Sequence, residues 1–407
     1  MNIKTTSLVI IFAFLLVSCG NSQSEEVANN DTKIDNIEVI DTAISVGAEQ
    51  IDEYLPLLEN KSVALLVNHS SLVNQTHLVD TLLSLEIDIK RIFAPEHGFR
   101  GNKERGENFN NDIDEKTGLP IISLIGSKKR PSQEDLADVD VVIYDIQDVG
   151  VRFFTYISSM FELMQACAEY NKALLILDRP NPNGDYVDGP VLDTVNFRSF
   201  VGMLPIPVVY GMTHAELAQM INGEGWLTGH RKCDITIVKV KNYNHQKHYS
   251  LPVKPSPNLP NDLSIRLYPS LCFFEATKFS VGRGTEFPFQ VLGYPDKRFG
   301  DFTFTPQDIV NVQTNPIQEG ELCYGIDLRN VSMEQQFTLK YVIDYFQLCG
   351  NDISLITNVN WFNLLMGNAE VQKQIHLGYS EQQIRELWEP ELSDFKEKRK
   401  KYLLYDE

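Results

Sequence analysis

Between positions 52 and 241 the chain alternates short apolar runs with stretches of helical periodicity. The runs fall at 63–68 (VALLVN), 87–94 (IDIKRIFA), 120–126 (PIISLIG), 140–146 (DVVIYDI), 173–178 (ALLILD), 206–211 (IPVVYG) and 234–240 (DITIVKV). Each is an almost unbroken series of β-branched residues and leucines, the pattern of strands covered on both faces. Between two of them Ile157, Met160, Phe161, Met164 and Ala168 recur at i, i+3, i+4, i+7 and i+11, one face of a helix. Thr213 and Glu216 have the spacing of a capping box that opens another helix. Strand, helix, strand repeated in this way predicts an α/β domain over 47–255, a Rossmann-like, doubly wound and mostly parallel sheet. The proline cluster at 251–260 (LPVKPSPNLP) forbids a central strand or helix and ends that domain. A second, smaller C-terminal α+β domain is expected over 256–407. It has helices at 333–349 and 380–404, the latter opened by Ser380 and Gln383 and carrying a basic stretch at 396–401.

The first residues have a different character. A lysine precedes the apolar run 8–17, which has the size of a signal-peptide core and is short for a membrane span. The run ends in LVSC, with Ser18 directly before Cys19, an order that resembles a bacterial lipobox. It predicts a signal peptide over 1–19 and a lipidated Cys19 that anchors the protein to a bacterial membrane, facing periplasm or exterior. Residues 20–46 are polar, acidic and without apolar period, which predicts a disordered tether.

The formal net charge is −19, and residues 20–60 contribute ten acids against one lysine. A chain this acidic is not expected to bind nucleic acid. With Cys19 assigned to lipid, five cysteines remain, an odd number without CxxC spacing. They suggest neither a disulfide framework nor a zinc site.

Candidate chemistry gathers just after the expected strands, at Asn68 and His69, Glu96 and His97, Gln147 and Asp148, and Asp178 and Arg179. In a parallel sheet these ends share one edge and can converge on one cleft. The densest group is 93–101 (FAPEHGFRG), where Glu96, His97 and Arg100 offer an acid or base, a proton partner and an anion clamp. Farther on, Gly282 and Gly284 flank Arg283, a turn able to present a guanidinium to an anionic ligand, and Glu286 follows. No GxGxxG follows the first strand and no GxxxxGK[ST] occurs, so no dinucleotide, nucleoside triphosphate or other cofactor is expected.

Several of these stretches match one family: FAPEHGFRG, DIQDVGVRFFTYI (145–157), LDRPNPNG (177–184), YGMTHAELA (210–218), PSPNLP (255–260), YPSLCFFEAT (268–277) and SVGRGTEFPF (280–289). Together they resemble the YbbC-like NamZ exo-β-N-acetylmuramidases, glycoside hydrolase family 171, from about Leu57 to the terminal YLLY. The resemblance implies a Rossmann-like catalytic domain with a smaller C-terminal domain. It also implies release of N-acetylmuramic acid from the non-reducing ends of peptidoglycan fragments. Glu96 stands at the position of the glutamate proposed as catalytic in that family. Where the family often has FEGT this chain has FEAT, with Ala276 in place of glycine.

Glycoside hydrolysis usually requires a carboxylic acid to protonate the leaving oxygen and a second group that attacks or activates water. Glu96 fits the first role, and Asp148 is the first choice for the second, with Asp145, Asp178 and Glu286 as alternatives. His97 is a candidate proton partner. Asn68, Arg100, Arg152, Arg179, Arg283 and Glu286 are candidate substrate-binding residues, the arginines because a muramic substrate carries a carboxylate. Two rival readings use the same cleft. One is a surface lipoprotein that binds muropeptides or glycans without cleaving them. The other is a metal-dependent hydrolase using His69, Glu96 and His97, although no HExxH or comparable spacing is present and no metal is expected.

Overall fold

The computed structural model describes residues 42–96, 98–100, 112–310 and 312–407. Cys19, His97 and most of the expected tether lie outside the described residues. In chain order the strands are β1 (Ser62–Val67), the hairpin partners β2 (Leu72–Val73) and β3 (Thr76–His77), β4 (Asp88–Ala94), β5 (Asp112–Ile113), β6 (Pro120–Ser123), β7 (Val141–Asp145), β8 (Ala173–Leu177), β9 (Asp234–Val238), β10 (Val291–Tyr294), β11 (Phe302–Phe304) and β12 (Cys323–Asp327). The helices are α1 (Ile51–Tyr54), α2 (Leu78–Ser84), α3 (Tyr156–Tyr170), α4 (His214–Gly223), α5 (Asp262–Leu271), α6 (Lys340–Leu348), α7 (Val359–Met366), α8 (Glu370–His376) and α9 (Glu381–Arg399).

Seven strands form one sheet in the order β5-β6-β4-β1-β7-β8-β9, parallel except for β5 at one edge. From β1 the chain winds outward through β4 and β6, then returns to the other side of β1 and winds outward through β7, β8 and β9. This is the doubly wound topology, and ligands of such sheets sit beyond the carboxyl ends of the strands where the winding reverses. The unbroken apolar runs have their expected cause. Ala64 and Leu66 of β1 join the core that includes α3, whereas Val63, Leu65 and Val67 join the core that includes Leu78, Val79 and Leu82 of α2. With both faces covered, no position of β1 after Ser62 has a polar side to fill. On α3 the face read from the sequence is the buried one, with Ile157, Met160, Phe161 and Met164 at most 2% exposed. Each such side chain contributes on the order of 1.5–3 kcal/mol.

The C-terminal part carries the smaller sheet, β10-β12-β11, antiparallel throughout. Both capping boxes form: Thr213 with Glu216 at the start of α4, and Ser380 with Gln383 at the start of α9.

Three expectations need correction. The run 206–211 is buried but joins no sheet, because Pro205 and Pro207 lack the N–H donors a ladder needs. Its Val209 instead makes isolated bridges to Val151 and Asp188. The helix expected over 333–349 begins only at Lys340, where the Thr338 hydroxyl accepts from the Lys340 N–H and ties the chain to Glu381 of α9. The ordered domain also begins before residue 47, since Ser45 pairs with Lys241 through two backbone bonds and Val46 is buried.

Candidate active site

β4 delivers Glu96 to the reversal point of the sheet, two residues beyond its last strand position. Glu96 is half-buried, and its Oε2 accepts a hydrogen bond from the Thr155 hydroxyl at 3.0 Å. The Tyr156 hydroxyl donates to the Glu96 carbonyl at 3.4 Å. Thr155 and Tyr156 open α3, so the loop after β7 fixes the carboxylate delivered by β4. Burial and the nearby Glu96 charge push the Tyr156 hydroxyl well above its ordinary value, which keeps it a donor. Asn68, at the end of β1, is fully buried, and its amide lies against the same hydroxyl.

Glu96 lines a cavity of about 430 Å³. One wall comes from the loops after β6 and β7, with Lys129, Phe153, Phe154, Thr155 and Tyr156, and from the segment after β8, with Phe200. The opposite wall comes from the C-terminal part, with Ser256, Asn258, Tyr268, Arg283, Phe289 and Trp361. The aromatic rings brace one another edge to face, Phe153 and Tyr268 with centroids 5.4 Å apart and Tyr268 and Phe289 5.0 Å apart. Among the described residues Glu96 is the one carboxylate that lines this cavity. An aromatic-walled pocket of this size, toward the lower end of ~300–1,000 Å³, suits one small ring with polar substituents.

The candidate arginines separate into distinct roles. Arg283 lines the cavity, and the turn that holds it requires both flanking glycines. Gly282 and Gly284 each have φ of +79°, and a Cβ on Gly284 would lie 2.4 Å from the Gln307 carbonyl oxygen. The guanidinium is already engaged by Glu275, with Nε 2.9 Å from Oε1 and Nη2 also donating, and it lies over the Phe289 ring. Arg100 does not line the cavity; Asp114 holds it in two bonds of 3.1 and 2.7 Å, with Asp80 at 3.4 Å. Arg179 is 5% exposed, bound to Asp145 through Nε and Nη2 and to the Leu72 carbonyl at 2.9 Å.

Arg152 has no exposed surface, and the expectation that it faces substrate does not fit its surroundings. Its Nη1 donates to the carbonyls of Pro190 and Ile206, its Nη2 to those of Leu365 and Met366, at 2.7–2.9 Å. Glu286 is exposed and lies outside the cavity lining.

Asp148, the first choice for a second catalytic group, is 6% exposed and not part of the lining. Its Oδ2 accepts from the Gly150 N–H at 2.8 Å and from the Tyr210 hydroxyl, with His214 Nε2 at 3.5 Å. His214 Nδ1 in turn meets the Tyr144 hydroxyl at 2.7 Å. The alternatives are also engaged. Asp145 binds Arg179, and Asp178 accepts from the Ala215 N–H and the Tyr405 hydroxyl. His69 Nε2 lies 2.8 Å from the Lys254 carbonyl. Among the described residues no three His, Cys, Asp or Glu side chains converge as metal ligands. The four cysteines 167, 233, 272 and 323 are buried, Cys349 partly so. Ala276 is buried, and its carbonyl accepts from the N–H groups of Thr357 and Asn358, so a methyl group is accommodated there.

Sequence reading missed Thr155, Tyr156 and Lys129. Thr155 and Tyr156 sit inside DIQDVGVRFFTYI, where the acidic and basic positions drew attention and the hydroxyls did not. Lys129 belongs to no singled-out stretch, and only its direction in space distinguishes it from its neighbours.

Comparison with known proteins identifies the family of the chain. The model of the exo-β-N-acetylmuramidase NamZ N-terminal domain matches residues 63–263, and that of the NamZ C-terminal domain matches 266–405. The chain is 34% identical to the peptidoglycan β-N-acetylmuramidase NamZ of Bacillus subtilis (strain 168), over 97% of this chain and 99% of that one. Two crystal structures of DUF1343 family proteins from Bacteroides fragilis NCTC 9343 superpose closely. One is 47% identical with a TM-score of 0.83, covering 90% of this chain and 99% of that one. The other is 28% identical with a TM-score of 0.78, covering 90% and 100%. Both halves of the chain are thus accounted for, and the protein belongs to the NamZ exo-β-N-acetylmuramidase family.

Proposed function

We propose that this protein is an exo-acting glycoside hydrolase that releases N-acetylmuramic acid from the non-reducing ends of peptidoglycan fragments, with Glu96 as its principal catalytic carboxyl group. One observation carries the reading: Glu96 stands at the reversal point of the sheet, in a cavity whose aromatic walls can cover the apolar faces of a sugar ring. Its proton goes to the glycosidic oxygen as the bond to the anomeric carbon breaks. A water oxygen then bonds to that carbon, and a proton from the water restores Glu96. Thr155 holds one carboxyl oxygen in place, which orients the proton transfer. We assign Asp148 to positioning: it fixes the turn at Gly150 from which the wall residues Phe153, Phe154 and Thr155 follow. The LVSC sequence supports a lipid anchor at Cys19, with the acidic segment behind it spacing the domain from a membrane.

Glu96→Gln tests the assignment with little change of shape. On a muramide whose leaving group needs protonation, turnover should fall by ~10²–10⁴-fold with the thermal midpoint unchanged. The loss should be smaller for an activated aryl muramide. Near-normal turnover would remove Glu96 from the mechanism. A wild-type protein that binds muramides and cleaves none would instead be a glycan-binding lipoprotein.

A further inference from the structure

Three consecutive cations, Lys128, Lys129 and Arg130, follow β6. The outer two turn to carboxylates: Lys128 lies 2.6 Å from Asp135, and Arg130 lies 3.9 and 3.6 Å from Glu162 and Glu169. Lys129 turns the other way, into the cavity that holds Glu96. Its Nζ rests 4.2 Å from the centroid of the Phe200 ring, and no carboxylate pairs with it among the described residues. Phe200 is itself fixed, since its carbonyl accepts from the Ser158 hydroxyl at 2.7 Å. The other cation lining the cavity, Arg283, is neutralised by Glu275. Among the described residues the cavity therefore offers one uncommitted positive charge, held against a ring that attracts it without cancelling it.

We infer that Lys129 is the specificity-determining cation of the site, reading the ionised 3-O-lactyl carboxylate that distinguishes a muramic sugar from a glucosamine. The inference rests on the muramidase reading above. The net charge of −19 repels an anionic sugar at a distance, so selectivity requires a local cation. The arginines expected to supply it from sequence are bound to protein carboxylates or carbonyls. Lys129 has a flexible stem that can carry Nζ from the Phe200 face to a bound carboxylate. Because that carboxylate is present in both ground and transition states, its recognition should act on KM far more than on kcat.

The test is calorimetric titration of N-acetylmuramic acid and its uncharged lactyl carboxamide into the wild-type protein, Lys129→Met and Lys129→Gln. Wild type should prefer the acid by ~10–100-fold, the range for a charged hydrogen bond. Both variants should bring that preference to within about threefold, and Lys129→Arg should keep most of it. A wild type without preference, or a Met or Gln variant that keeps it, overturns the inference. Turnover of a muramide is measured separately, so failure of the hydrolase reading would be seen there and not in the affinity ratio.

Discussion

Replacing Arg152 by methionine should weaken the whole domain and, through it, the cavity. The guanidinium joins four carbonyl oxygens, those of Pro190 and Ile206 on one side and of Leu365 and Met366 on the other, and reinforces the backbone bond from the Asp193 N–H to the Gly367 carbonyl. The latter two end α7, where helix carbonyls have no partners of their own and a cation is favoured. The chain leaves α7 at Gly367 with φ of +83°, and a Cβ there would lie 2.7 Å from Arg152 Nη2, so the turn is shaped around the guanidinium. α7 carries Trp361 of one cavity wall, and Arg152 stands directly before Phe153, Phe154 and Thr155 of the other. Burial pulls the guanidinium pKa down, but four aimed carbonyls favour the charged form. Methionine fills much of the space and donates nothing. The Ile206 carbonyl keeps the Leu192 N–H, but leaving the other three unsatisfied at about 1 kcal/mol each, the low end of the usual range, costs about 3 kcal/mol, a large share of a typical ~5–15 kcal/mol. With ~2.1 cal/mol/K per residue, a chain of 407 residues loses about 4 °C in Tm. Calorimetric melting measures this directly, and Arg152→Lys, with three donors on one nitrogen, should fall between. An unchanged Tm with KM raised selectively for muramides would refute the staple and return Arg152 to substrate binding.

Two further outcomes are expected. Burial lifts the Asp178 carboxyl from 3.8 to about 6 despite its hydrogen bonds from Tyr405 and Ala215. A folded value above the unfolded one means a contribution that is complete below about pH 4 and lost as pH rises through 6, on the order of 3 kcal/mol. The stability of wild type minus that of Asp178→Asn, from urea unfolding, should therefore fall by about that amount between pH 4 and pH 7; a constant difference would contradict the assignment. Cys19→Ser should move the protein from the membrane fraction to the soluble one and abolish acyl labelling, and unchanged fractionation would remove the proposed anchor.

The apolar runs marked six of the seven main-sheet strands: β1, β7 and β8 are covered on both faces and so almost wholly apolar, whereas β4 and β9 keep enough apolar positions to show despite exposed polar ones. Only β5, two exposed residues at the edge, left no such trace, and 206–211 looked like a strand because burial alone produces the same composition. Capping boxes were legible for a similar reason, since the partners lie three residues apart and meet within one turn. Glu96 was legible as a polar residue just beyond a buried strand. The roles of the arginines were not, because a guanidinium's role depends on what lies across from it. Arg152 meets carbonyls 38 to 214 positions away, and Arg283 meets Glu275 before any ligand. Lys129 shows the same limit most clearly. Three adjacent cations are equivalent in sequence, and only the placement of Asp135, Glu162, Glu169 and Phe200 around them leaves the middle one facing the cavity.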